Sequence, residues 1–261
     1  MLKILSNEVY KLVIRKKLYI FIGLLFVLAV FYVINVPRTN ELLSAANIAE
    51  INAQTFPIEL LDELAGFILP IFMIIFTAEI ISGEYKDGTL KLPLLRQVSR
   101  IRLFLAKIGS LAVVLSIILI SIMLFGYMLG AFNLVWGDKF IFKGIVLSTG
   151  KGILFTILIY FLTMLPLLAF SAIISFFAVI INNEGTVVGL GIGLLIISMI
   201  AGSIFDKISL LLPKNYFSLY DVLASGANLR EATVSYTFNL IYGIVFFALS
   251  LYIFKCKDIL S

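Results

Sequence analysis

The residues best suited to chemistry crowd into Glu79–Lys107, which reads EIISGEYKDGTLKLPLLRQVSRIRLFLAK. Glu79, Glu84 and Asp87 lie toward its start, and Lys86, Lys91, Arg96, Arg100, Arg102 and Lys107 are spread along it. Such a mixture makes ion pairs and charge-assisted hydrogen bonds with a partner surface. Glu84, Tyr85, Lys86, Asp87, Gly88 and Thr89 form a polar turn in which Gly88 supplies backbone freedom. Beyond it, Leu90, Leu92, Leu94, Leu95 and Val98 alternate with Lys91, Arg96 and Arg100. A short amphipathic helix starting near Pro93 would offer apolar residues to a groove and charges to its rim. A solvated basic loop is the plainer reading of the same residues.

Bond-breaking chemistry has little to work with. The chain has no His and one Cys, Cys256, which excludes a His-based triad, a His-containing zinc site and an internal disulfide. No G-x-x-x-x-G-K-[ST] phosphate loop is present. Gly189, Gly191 and Gly193 lie within an apolar run and form no dinucleotide fingerprint, which needs a preceding strand. No acid falls squarely inside an apolar run. A charge at a membrane helix centre costs about 2.5–3.5 kcal/mol, yet ion-driven carriers keep some, so this scarcity argues against one. Glu79 sits near the end of an apolar run, where it either pairs with a nearby base or links that run to the basic connection.

The elements that carry these residues are set by composition. Of 261 residues, 62% are hydrophobic and only 13% charged, and the mean hydropathy is +1.13. A water-soluble domain cannot hide that much apolar surface, so the solvent is lipid. Six runs reach the roughly 20 residues needed to cross a bilayer: 18–36, 64–82, 103–134, 153–181, 186–205 and 236–254. The third is long enough to tilt, and Pro166 is expected to kink the fourth. The expected fold is a single all-α integral membrane domain over 1–261, with six transmembrane helices. Asn182–Gly185 is so short that spans four and five form a tight hairpin. Residues 37–63 are expected to hold short helices, and 206–235, broken by Pro213, to lie on the bilayer or dip into it.

Charge sets the orientation. Lys3, Lys11, Arg15, Lys16 and Lys17, the six bases of 79–107, and Lys255 and Lys257 share one side, whereas Glu41, Glu50, Glu59, Asp62, Glu63, Asp138, Asp206, Asp221 and Glu231 share the other. The basic side should be the cytoplasm, with both termini inside. The net charge of +5 reflects this clustering rather than nucleic-acid binding. The first run ends in Asn-Val-Pro-Arg instead of a small-x-small cleavage site, so it is expected to remain as a span. Within 1–17, Leu2, Leu5, Val9, Leu12 and Val13 recur at near-helical spacing, with Lys3, Asn7, Lys11 and Arg15 off that face, as in an interfacial amphipathic helix.

The run E-x-x-x-G-T-L-x-x-x-L-L-x-x-x-S-R-x-x-x-x-x-x-K, carried here by Glu84 (or, further upstream, Glu79), Gly88, Thr89, Leu90, Leu94, Leu95, Ser99, Arg100 and Lys107, resembles the signature of the ABC-2 type transporter permeases. The basic N-terminal helix, six spans, short connection four–five and long outer segment before span six also resemble that family's plan. The resemblance implies a cytoplasmic coupling helix between spans two and three that docks on a separate ATP-hydrolysing subunit, with Glu84, Gly88, Thr89, Leu94, Leu95, Arg96 and Arg100 as docking residues. It implies a second permease subunit, identical or not, with spans one, two and five near the dimer axis. The chain itself would then do no bond chemistry and hold no cofactor, ATP and Mg being bound by the partner. The implied location is a bacterial plasma membrane. One departure is that Gln97 stands before Val98 where the family often has Pro, and the proline comes earlier, at Pro93.

Gly185, Gly189 and Gly193 recur every four residues along span five, and small residues let helix backbones approach. The stripe packs either at the dimer contact or against the subunit's own spans. Gly126 and Gly130 repeat the spacing in span three. Tyr216, Phe217 and Tyr220 are candidates to grip an amphipathic cargo, and Trp136 fits an interfacial aromatic belt. Two other functions compete with an exporter subunit: an intramembrane enzyme, for which the catalytic groups are missing, and a non-transporting anchor or regulatory partner of a sensor or secretion complex. The cargo is left open between peptides, drugs and lipids.

Overall fold

The computed structural model describes residues 2–45, 50–86, 99–142, 145–204 and 229–257. Helix α1 (Leu2–Ile14) bends at Arg15 into α2 (Lys16–Ala45). Helices α3 (Phe56–Ala65) and α4 (Ile68–Ala78) follow, and α4 runs into a wide π turn, Glu79–Gly83, and a single turn α5 (Glu84–Lys86). Then come α6 (Arg100–Asn133), a hairpin of β1 (Phe140–Phe142) and β2 (Ile145–Leu147), α7 (Thr149–Ile180), α8 (Glu184–Ile204) and α9 (Leu229–Cys256). Five helices are long and apolar enough to cross a membrane, or six if α3 and α4, bent by 55°, count as one broken span. The architecture is that of a multi-pass membrane protein.

Three expectations need correction. The fold is not purely helical, because β1 and β2 pair antiparallel, with Phe140 opposite Leu147 and Phe142 opposite Ile145. Phe140 and Phe142 are buried on the inner face, and a Cβ on Gly152 would lie 2.5 Å from the Phe140 ring. The second span does not start at Leu64, which belongs to α3. The helix breaks at Phe67, whose φ of −140° leaves helical geometry. The first span also overruns its expected end, since Pro37 stands inside α2, and Pro166 likewise lies within the single helix α7.

The connection between α2 and α4 is a packed part of the core. Asn40 holds the Ile51 backbone at both its N–H (2.8 Å) and its carbonyl (3.0 Å). Phe56, Pro57, Ile58, Leu60, Leu61 and Leu64 of α3 are all buried. The Tyr160 hydroxyl of α7 donates to the Pro57 carbonyl at 2.8 Å. Gly126 and Gly130 of α6 meet this segment: a Cβ on Gly126 would stand 2.7 Å from the Pro57 Cα, and one on Gly130 3.1 Å from the Ala53 carbonyl. That glycine pair serves close packing within the chain. Elsewhere, α9 packs along α7, where the Ser175 and Ser250 hydroxyls meet at 3.0 Å, and α1 packs on the start of α6.

Candidate functional site

The basic helix ends converge. Ser99 starts α6 with extended backbone (ψ 140°), and its hydroxyl accepts from the Arg102 N–H at 3.4 Å. This directs Lys107 into the bundle, where it is completely buried. An ammonium has three donors, and all three are used here: Glu84 Oε2 at 2.5 Å, Glu8 Oε2 at 3.1 Å and the Ile80 carbonyl at 3.0 Å. The other oxygens of the same two carboxylates are held by Lys11, at 2.7 Å from Glu8 Oε1 and 3.4 Å from Glu84 Oε1. Two lysines and two glutamates thus alternate around a closed ring that joins α1, α5 and α6. Charge balances, which makes burial of the four groups tolerable. Burial pushes the Glu8 carboxyl upward, but Lys107 and Lys11 outweigh it and hold it below its ordinary value. Burial likewise works downward on Lys11, but Glu8 and Glu84 outweigh it and hold the ammonium above its ordinary value.

A second group lies beside the ring. Arg15 pairs with Glu79 in the π turn. Lys17 of α2 reaches Glu79 at 3.2 Å and Glu184 of α8 at 3.6 Å. The second carboxylate oxygen of Glu79 is buried with no hydrogen-bond partner. Glu184 occupies the first turn of α8, where the helix dipole favours a negative charge. The Ser82 hydroxyl, also in the π turn, lies 2.8 Å from both the Ala178 and Ile181 carbonyls at the end of α7. One hydroxyl proton serves these two acceptors.

The far side of the connection is tied as well. Arg100 donates to the Lys255 carbonyl at 3.1 Å and to that of Lys257. Lys257 donates to Asn182 Oδ1 at 2.6 Å and sits 4.2 Å from the centre of the Tyr85 ring. Burial pulls its ammonium below the ordinary value. Of the expected docking residues, Glu84 and Arg100 are therefore placed on opposite roots of the connection, each bound to the bundle. Gly88, Thr89, Leu94, Leu95 and Arg96 lie outside the described residues, as do Tyr216, Phe217 and Tyr220.

The glycine stripe of α8 faces outward. Among the described residues, a Cβ on Gly189 or Gly193 would meet nothing within 4 Å, and one on Gly185 only the Asn183 side chain. Gly191 carries the inward contact, 2.6 Å from Ile74. The sequence reading placed Lys11 and Arg15 away from the packed face and passed over Glu8, whereas the ring turns Lys11 inward. The missed signal was Glu8 itself, which lies among Leu5, Val9 and Leu12 on the apolar side of α1. Lys107, seven residues into an apolar helix, is its complement. Leu2, expected on that side, is exposed.

Among the described residues, no three His, Cys, Asp or Glu side chains group as a metal site. No curated protein matches the chain. Residues 25–260 match a family described as Protein of unknown function (DUF2705), and the chain belongs to that family.

Proposed function

We propose that this chain is the membrane-spanning subunit of an ATP-driven exporter of the ABC-2 type, which it resembles in the run Glu84–Lys107. The observation that carries the reading is the anchoring of both roots of the basic connection. Glu84 is held by Lys107 and Lys11, and Arg100 by the carbonyls of Lys255 and Lys257. A docking segment works as a lever only if its ends are stiffly joined to what it moves. Here one root grips α1 and α6, and the other grips the end of α9. The neighbouring pairs of Glu79 with Arg15 and Lys17, and of Lys17 with Glu184, extend the linkage to α2 and α8.

The mechanism follows from that linkage. A separate ATPase subunit binds Gly88–Arg96 differently in its nucleotide-bound and nucleotide-free states, and only this difference shifts the permease between conformations. The displacement passes through Glu84 to α6 and α1, and through Glu79 to α2 and α8. A second permease subunit completes the path, with the Gly185–Gly189–Gly193 stripe at or near the contact. ATP and Mg belong to the partner, and this chain does no bond chemistry.

The chain crosses the bilayer six times, with α3 and α4 together as the second span. The support is parity: Lys107 near the start of α6 touches Glu8 of α1, and Arg100 touches the end of α9. These elements share one end of the bundle, which supports an even number of crossings. That end holds most of the basic residues, so it faces the cytoplasm of a bacterial cell.

The test is co-expression with phosphate-loop ATPases encoded in the same genome, purification through a tag on this chain, and measurement of vanadate-sensitive ATP hydrolysis. Co-purified activity that falls with Gly88→Pro and with Arg100→Glu is the expected result. A well-folded chain that captures no ATPase would overturn the reading in favour of a non-transporting anchor.

A further inference from the structure

We infer that the outward face of α6 and α7 is a binding site for one anionic phospholipid, with an acyl chain in the groove between the helices and the headgroup on Lys151 and Lys139. The groove holds about 210 Å³ and is lined by Leu119, Ile120 and Met123 of α6 and Ile157, Phe161 and Met164 of α7. It contains no charged side chain. It opens on apolar stripes of the two helices. Ile120, Leu124, Met128 and Phe132 follow one another every four residues on α6, all exposed. On α7, Leu154, Leu158 and Phe161 are exposed on the stripe that begins at Lys151.

Depth and charge identify the occupant. Ten residues of helix separate Lys151 from Phe161, about 15 Å of rise, which is half of a hydrocarbon core about 30 Å thick. A chain whose headgroup sits at Lys151 therefore ends near the bilayer centre beside Phe161. The hairpin continues the same surface. Its cross-strand partners Ile141 and Val146 point outward and are exposed, while Phe140 and Phe142 point inward. The side-chain amide of Gln54 joins the two lysine-bearing segments, donating to the Gly137 carbonyl and lying 3.5 Å from the Thr149 hydroxyl. Lys139 and Lys151, two residues beyond each of these points, are both exposed, as is Asp138. Asp138, Lys139 and Lys151 together carry one net positive charge, and Lys151 stands about 9 Å of helix rise from Ile157, which lines the groove. A buried protein partner would leave those charges without a counterion, whereas a phospholipid supplies both the tail and the phosphate.

Trp136, the chain's only tryptophan, stands in this corner and reports on it directly. The full chain is placed in bilayer discs containing phosphatidylcholine with a minor fraction of phosphatidylglycerol. The bromine is carried on the acyl chains of one lipid or the other at equal mole fraction, close to the headgroup. Phosphatidylglycerol should quench Trp136 more strongly, and replacing either Lys139 or Lys151 with Gln should lower that preference about fivefold. A second arm moves the reporter. In a Trp136→Phe background, Phe161→Trp should show the same preference for phosphatidylglycerol brominated near the chain centre. Equal quenching by the two lipids at Trp136, or a preference that both lysine changes leave intact, would overturn the headgroup assignment. Equal quenching at position 161 would overturn the tail assignment. None of these outcomes depends on an ATPase partner.

Discussion

Lys107 is the residue whose loss should be felt most. Its three donors are saturated in a site without solvent exposure, so Lys107→Met takes from Glu8 and Glu84 the ammonium that they share. Removing one member of a buried pair costs about 3–5 kcal/mol, because the remaining charge stays buried. Thermal unfolding in detergent should show that loss. The double variant Lys107→Met/Glu84→Gln should be more stable than the single one, since the uncompensated acid is gone. Additive losses in that cycle would mean the two side chains do not interact. The same ring gives a pH dependence. Glu8 titrates below its ordinary value of 4.5 when folded, so its contribution is present above that pH and fades as pH falls through the lowered value. Lys11 titrates above its ordinary 10.5, so its contribution is present below that pH and fades as pH rises through the raised value. Stability should plateau between those limits, and Glu8→Gln should flatten the acid edge of the melting-temperature profile. An unchanged acid edge in that variant would count against the ring.

At the scale of elements, what could be read in advance tracked the length of the signal. Long apolar runs located α6, α7 and α8 to within a few residues, because twenty lipid-facing residues leave an unmistakable hydropathy record, whereas the end of α2 and the start of α9 lie well outside their runs. The α3 segment was harder to place. Ten residues with Glu59, Asp62 and Glu63 among the leucines look like an exposed amphipathic helix, and their burial depends on Gly126 and Gly130 of a distant helix making room. The three-residue strands are too short to show an alternation. The group beside the charged ring was half legible: Glu79 invites a basic partner at the end of its run, but which base it meets, Arg15 and Lys17, is settled by the bend at Arg15. Helix α8 gives a matched pair of tests. Gly191→Leu drives its side chain into Ile74 and should cost about 1–3 kcal/mol in the isolated subunit, as overpacking does. A Cβ at Gly189 meets none of the described residues within 4 Å, so Gly189→Leu should leave the melting temperature of the subunit alone and weaken subunit association in mild detergent. Equal dimer content for Gly189→Leu and the parent would remove the stripe from the subunit contact.

For the whole molecule, the decisive property is which side of the membrane each end occupies. If α3 and α4 entered the bilayer and returned to the side they came from, α6 would start at the end opposite α1. The contact of Lys107 with Glu8 instead supports the proposed crossing by α3 and α4, and the bonds from Arg100 to the Lys255 and Lys257 carbonyls bring the end of α9 to the same place. Ile68–Gly83 rises only about 24 Å, short of a hydrocarbon core about 30 Å thick, so the proposed crossing would need part of α3 as well. The chain's single cysteine makes the prediction measurable. Cys256 is exposed in the last turn of α9, beside Lys255. In intact cells stripped of their wall, a membrane-impermeant maleimide should not label Cys256, and protease should not remove an N-terminal epitope. In inverted vesicles both should be reached. Labelling of Cys256 and cleavage of the epitope from opposite sides would mean an odd number of crossings, with α3 and α4 forming a re-entrant pair. Access to both from outside the cell would keep the six crossings but reverse the molecule, placing its basic end away from the cytoplasm and the charged ring out of reach of any ATPase.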